Sequence, residues 1–180
     1  MILELRYYSD PILRKISTPV KEITIEIKKF IDDLIESMDA HNGIGLAAPQ
    51  VGRLLRIFVV RLEFIAPNGE FIKGKPKVYI NPKITDPSKE SDILSEGCLS
   101  LPGIHVDVAR PLKIHVQAMD IDGNTFEEEL EGFVARQVMH ENDHLNGTLI
   151  IDRCSKEQKK EADPFLQKIK KAYKASKQSS

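Results

Sequence analysis

The stretch HENDHLNGTLI, residues 140–150, constrains this chain more than any other. Its first five residues read His-Glu-x-x-His. On a helix, His140 and His144 differ by about 40° in azimuth and about 6 Å in rise, so both imidazoles reach one ion. Glu141 falls on the flank of that face, where it holds a water beside the ion without ligating it; that combination suits metal-assisted hydrolysis with a general base. A fold using the motif must bury this helix, bring a third ligand to it and leave a fourth position open. A longer form of the motif places a third His six residues after the second, and here that position is Ile150.

The third ligand has to be soft or anionic. Asp152, Glu157, Glu161 and Asp163 lie in or beside a charged tail, where solvation is their ordinary role, and His41, His105 and His115 have no partner at ligand spacing. Cys98 sits in EGCLSLPG, residues 96–103, a glycine-flanked turn leading into a short apolar stretch and Pro102. A thiolate there would neutralise one of the ion's two charges and complete a Cys-His-His site, but composition leaves the choice open. With two cysteines, Cys98 and Cys154, and no export signal, free thiols or a metal ligand are expected rather than a disulfide.

The N-terminus meets Glu4 before any apolar run develops, and no segment approaches the ~18 apolar residues of a spanning helix, so the expectation is a cytoplasmic chain with no membrane partner. A net charge of -1 over 180 residues gives no bulk attraction to nucleic acid. The charge is polarised, however. Residues 156–180 hold eight lysines against three acids, a net of +5 that leaves -6 for the rest. The expected organisation is one domain, with a catalytic unit over 1–155 and a basic helix or tail over 156–180 belonging to it.

Ile27, Phe30, Ile31, Leu34, Ile35 and Met38 mark one face of an amphipathic helix between Thr24 and His41. LLRIFVVRLEF (54–64) predicts a strand, and VYINP (78–82) a second that stops at Pro82. KIHVQAMD and FEEEL, joined through Asp122-Gly123, predict a hairpin, and Asn146-Gly147 ends a short helix carrying the His-Glu-x-x-His motif. Asp163-Pro164 predicts an N-cap and N1 pair for a terminal helix with Phe165, Ile169 and Tyr173 as its apolar stripe. This order is that of an α+β domain. GIGLAAPQVG (43–52) matches a dinucleotide fingerprint in spacing, but it follows a helix and Pro49 bars a helix from continuing, which argues against nucleotide binding. It reads instead as a tight, backbone-exposed loop ending in Gln50, whose amide suits a developing oxyanion. Gln137, Arg136 and Phe133 lie three, four and seven residues before His140, on the same side of the helix, and should run from the metal toward a substrate side chain.

GIGLAAPQVG, EGCLSLPG and HENDHLNG, in this order and at these separations, resemble the three signature motifs of peptide deformylase; SDPILRKIS and the hairpin with DIDG are similar too, so the resemblance covers nearly all of residues 5–155. It implies small antiparallel or mixed sheets packed around a central metal-binding helix, with a C-terminal helix. It implies Cys98, His140 and His144 as ligands of one divalent ion, Fe2+ in the cell with Zn2+, Ni2+ or Co2+ as substitutes. The implied reaction removes the N-formyl group from the methionine of nascent polypeptides. Glu141 is the implied base, the Gln50 amide and the Leu99 backbone N–H receive the oxyanion, and the Ile44–Gly45 main chain holds the peptide. Phe133 is the candidate wall of the methionine pocket. His105 and Met139 depart from residues common in that family, Asp143 is a candidate anchor behind the metal with Arg110 as its partner, and the basic tail is a candidate ribosome contact. Two rivals stand beside this reading: a zinc peptidase with a downstream Glu as third ligand, and a metal-stabilised binding module.

Overall fold

The computed structural model describes residues 1–178. In chain order it contains α1 (Ile25–Ala40), β1 (Gly45–Ala47), β2 (Ile57–Ile65), β3 (Phe71–Thr85), β4 (Ser91–Cys98), β5 (Leu101–Pro111), β6 (Lys113–Met119), β7 (Thr125–Glu131), α2 (Gly132–Leu145) and α3 (Lys156–Gln178). Strands β1-β2-β3-β6-β7 form an antiparallel sheet in that order, and β4 and β5 pair separately. No described helix is long and apolar enough to cross a membrane.

The run IFVV in β2 is apolar at every position because the strand is covered on both faces. Ile57 and Val59 join Phe30, Ile31, Leu34 and Met38 of α1 in one core, while Phe58 and Val60 point the other way, to Ala135 and Val138 of α2. Alternation of side chains across a strand sends neighbours to opposite cores. α1 starts where the Thr24 hydroxyl accepts from the Ile27 N–H at 3.4 Å, a side-chain N-cap. α2 packs against β1, β2, β6 and β7 of the large sheet and also against β5 of the small one, so it lies between the two sheets. It ends at Asn146, followed by Gly147 at φ +71°, where a Cβ would stand 2.5 Å from the Arg14 carbonyl oxygen. Only glycine closes that turn.

Three local expectations are corrected, and the turn expected in EGCLSLPG is present. β3 runs through Pro82 to Thr85, because the ladder with β6 shifts register between Ile80 and Lys83 and the proline falls in that irregularity, where its missing N–H breaks no regular pairing. EGCLSLPG is the tip of a long hairpin, with Cys98 closing β4 and Leu101 opening β5. GIGLAAPQVG is not an exposed loop: Gly45–Ala47 pair with β2, a 3-10 turn follows over Ala48–Val51, and Leu46 through Val51 are buried. α3 begins at Lys156 rather than at Asp163, with Pro164 inside it, and buries Ala162 and Leu166 with Ile169 half-buried, leaving Phe165 exposed. Tertiary contacts with β5 selected the face one residue round from the expected stripe.

Candidate metal centre

α2 presents His140 and His144 on one face, with ring centroids 5.2 Å apart. The β4–β5 hairpin brings Cys98 to them, and one donor atom from each of the three lies within 4.8 Å of the others. Cys98 Sγ is 3.4 Å from His144 Nε2. His140 is oriented from behind, its Nδ1 lying 2.9 Å from Glu96 Oε1, which leaves Nε2 for an ion. One thiolate and two imidazoles suit a borderline divalent transition ion and not Mg2+ or Ca2+, which take oxygen donors. The residues therefore fit the implied metal. The downstream acids weighed as third ligands do not enter the group.

Glu96 is the hub of the support. Arg110 donates to both its oxygens, at 2.7 and 2.8 Å, and Arg136 donates to Oε2 at 2.7 Å. Burial alone would push the Glu96 carboxyl up, but the bonds from Arg110 and His140 outweigh it and hold it well below the usual carboxylate range. Arg110 also reaches Asp143 at 3.0 Å, the pairing expected from the sequence, and Arg153 clamps the same carboxylate at 2.5 and 2.6 Å. Burial opposes charge on His140, yet the Cys98 and Glu96 contacts raise its pKa well above normal; burial first, and then the nearness of His140, holds His144 well below it. Sequence reasoning missed Glu96 and Arg153. The signal for the first was available: Arg110 stands in register with Ile104, Val106 and Val108 on the inward face of β5, and a charge at an apolar-period position demands a buried counter-ion.

Glu141 is 5% exposed and its Oε2 meets no hydrogen-bond partner among the described residues. Burial pushes its carboxyl up to about 7. A cavity of about 520 Å³ opens in front of it, lined by Gly45, Gln50, Cys98, Leu99, His140 and Glu141, and also by Ile44, His105, Phe133, Arg136 and Gln137. Gln50 is held at both ends: its Oε1 accepts from the Ala47 N–H at 2.9 Å, and its Nε2 lies 3.2 Å from Ser100 Oγ and 3.5 Å from Cys98 Sγ. Phe133 is 55% exposed at the rim. Arg136 lines the cavity, but its guanidinium is taken up by Glu96, the Val108 carbonyl and the Asp92 carboxylate and carbonyl, which ties α2 to both strands of the hairpin. His105 stands over Gly97, where a Cβ would come within 2.9 Å of its Nε2.

A Cys-His-His group around a His-Glu-x-x-His helix, with a buried carboxylate facing a cavity, defines the class: a metal-dependent hydrolase. The family model described as Polypeptide deformylase matches residues 2–160. The peptide deformylase of Psychrobacter cryohalolentis is 42% identical over 170 residues, covering 94% of this chain and 89% of the relative. Among solved structures, the peptide deformylase of Ehrlichia chaffeensis superposes with a TM-score of 0.86 at 37% identity, over 98% of this chain and 99% of its own. That of Thermotoga maritima gives 0.78 at 42% identity, over 86% of this chain and 99% of its own. The chain belongs to the polypeptide deformylase family.

Proposed function

We propose that this chain removes the N-formyl group from the N-terminal methionine of nascent polypeptides, releasing formate, with Cys98, His140 and His144 as metal ligands and Glu141 as the proton carrier. The observation that carries the reading is the convergence of one thiol and two imidazole donors within 4.8 Å beside a buried carboxylate whose Oε2 has no partner among the described residues. A divalent ion held there, Fe2+ in the cell with Zn2+, Ni2+ or Co2+ as substitutes, supplies Lewis-acid polarisation and makes a water acidic enough to attack at neutral pH.

The protein's own groups do the rest. Glu141, poised near neutrality, takes the proton of the attacking water and hands it to the leaving amine, so that one carboxylate serves as base and then as acid. The Gln50 amide and the Leu99 backbone N–H donate to the oxygen on which negative charge develops; Gln50 is anchored through its Oε1 by the Ala47 N–H and turns an N–H from Cys98 Sγ or Ser100 Oγ to do so. The Ile44 and Gly45 main chain holds the peptide backbone. Phe133, Arg136 and Gln137 flank the first side chain. We assign residues 1–155 to the catalytic unit and 156–180 to a basic extension of the same domain, place the enzyme in the cytoplasm, and read the lysine face of α3 as a ribosome contact. Cosedimentation with ribosomes that survives replacement of Lys168, Lys171 and Lys174 by Glu would remove that last assignment.

The decisive experiment measures formate released from a formyl-Met tripeptide by anaerobically purified, metal-loaded protein, with Glu141→Ala in parallel. Release by the wild type and loss by about two to four orders of magnitude in the variant are expected. No release from metal-loaded wild type overturns the reading.

A further inference from the structure

Gln137 is 6% exposed, sits one helical turn before His140 and lines the cavity beside Phe133 and Ile104. Its Nε2 is buried and meets no acceptor among the described residues. The neighbouring buried polar groups behave differently: Arg136, Glu96 and Gln50 are all hydrogen-bonded within the protein. Among the described residues, the other buried side-chain N and O atoms without partners are Glu141 Oε2 and His144 Nδ1, which belong to the metal centre, and Ser17 Oγ and Asn142 Oδ1, whose residues do not line this cavity. A buried amide donor left unpaired costs as much as a lost hydrogen bond, so its presence at a binding wall marks a place where a ligand completes the pairing. The terminal torsion of glutamine is soft and roughly two-fold, so turning the amide plane brings the buried N–H round to face whatever fills the cavity.

We infer that Gln137 makes the side-chain subsite of this chain read a hydrogen-bond acceptor on the substrate's first residue. The thioether sulfur of methionine is a weak acceptor, the sulfoxide oxygen of oxidised methionine a strong one, and the methylene of norleucine none. The subsite thus takes unbranched side chains that carry an acceptor, and it tolerates formyl-methionine sulfoxide where a wholly apolar wall would reject the polar oxygen. This rests on the deformylase reading.

The test compares kcat/KM for three formyl tripeptides that differ only in the first residue: norleucine, methionine and methionine sulfoxide. Wild type is measured beside Gln137→Met and Gln137→Leu. Ratios between substrates within one preparation cancel metal content and folded fraction. The sulfoxide-to-norleucine ratio is expected to fall about tenfold in each variant, and the methionine-to-norleucine ratio about two- to threefold. A sulfoxide-to-norleucine ratio within about twofold of wild type, in either variant that releases formate, overturns the inference and leaves the deformylase reading intact. So does a wild type that disfavours the sulfoxide by more than about a hundredfold against norleucine, with no variant needed. No formate from any of the three with metal-loaded wild type overturns both.

Discussion

Glu141 lies against β1 at Gly45, where the missing side chain makes room for its carboxylate. A Cβ at position 45 would stand 2.3 Å from Glu141 Oε1, so the strand and the carboxylate share the space of one missing methyl. Gly45→Ala must displace the carboxylate or part β1 from α2. Either shift is about 1 Å, and kcat should fall roughly 10- to 100-fold with metal content unchanged, which steady-state kinetics with metal analysis on the same samples would check. Cys98→Ala should instead lower metal affinity by ~100-fold or more, because two imidazoles remain where three donors converged, and competition with a chelator would show it. His140, Glu141 and His144 were legible at this scale because helical geometry fixes what a spacing of four can do. Gly45 was not legible as a neighbour of Glu141, nor Gln50 as a neighbour of Cys98, since distance along the chain says nothing about distance in space.

At the scale of elements, the β4–β5 hairpin is tied to α2 mainly through charge. Glu96, Arg110 and Arg136 are nearly buried, whereas the Arg153 side chain is 43% exposed. Removing Arg110 leaves two carboxylates short of a buried counter-ion, so Arg110→Met should cost about 3–5 kcal/mol. Arg153→Met leaves Asp143 still paired to Arg110 and should cost only about 1 kcal/mol. Denaturant unfolding of the two variants should separate them clearly; equal losses would contradict the network. The hairpin itself was partly readable: the alternation of Ile104, Val106 and Val108 is a strand pattern. β4 is not, because its residues alternate poorly, with exposed Ile93 and Leu94 beside buried Glu96. Its strand state comes from pairing, a non-local cause.

Across the whole molecule, the C-terminal segment is secured to the domain by packing, by the hydrogen bond from the Asp107 N–H to Gln158, and by the ion pairs of Arg153 with Asp143 and of Asp152 with Arg14. Leu166 is 2% exposed within the cluster that includes Ile104, Val106 and Val108, so Leu166→Ala should cost about 2–4 kcal/mol, seen as a lowered unfolding midpoint, while KM for a formyl peptide stays unchanged. Arg14, far upstream, binds the Asp152 carboxylate through both terminal nitrogens. Burial tends to raise Asp152, but the Arg14 bond and the Leu149 N–H outweigh it and lower its pKa below the ordinary 3.8. A carboxylate held low in the folded state stabilises the fold above its unfolded pKa and loses that contribution as pH falls through the folded one. The stability gap between wild type and Asp152→Asn should therefore be about 1 kcal/mol near neutral pH, modest because the pair is partly exposed, and should shrink toward zero on acidification below the ordinary 3.8.

The sequence by itself determined the helix that carries His140, Glu141 and His144, since 3.6-residue periodicity and the His-Glu-x-x-His spacing are local properties, and it determined the amphipathic α1, the β6–β7 hairpin and the glycine that ends α2. The three-motif resemblance implied Cys98 as third ligand; the bare residues did not select it. Tertiary structure alone decided that Glu96 would orient His140, that Arg136 would tie α2 to the hairpin, and that α3 would turn Leu166 inward rather than Phe165. Each of those outcomes depends on which surfaces meet, and a buried charge or an apolar face acquires its role only from the partner that covers it.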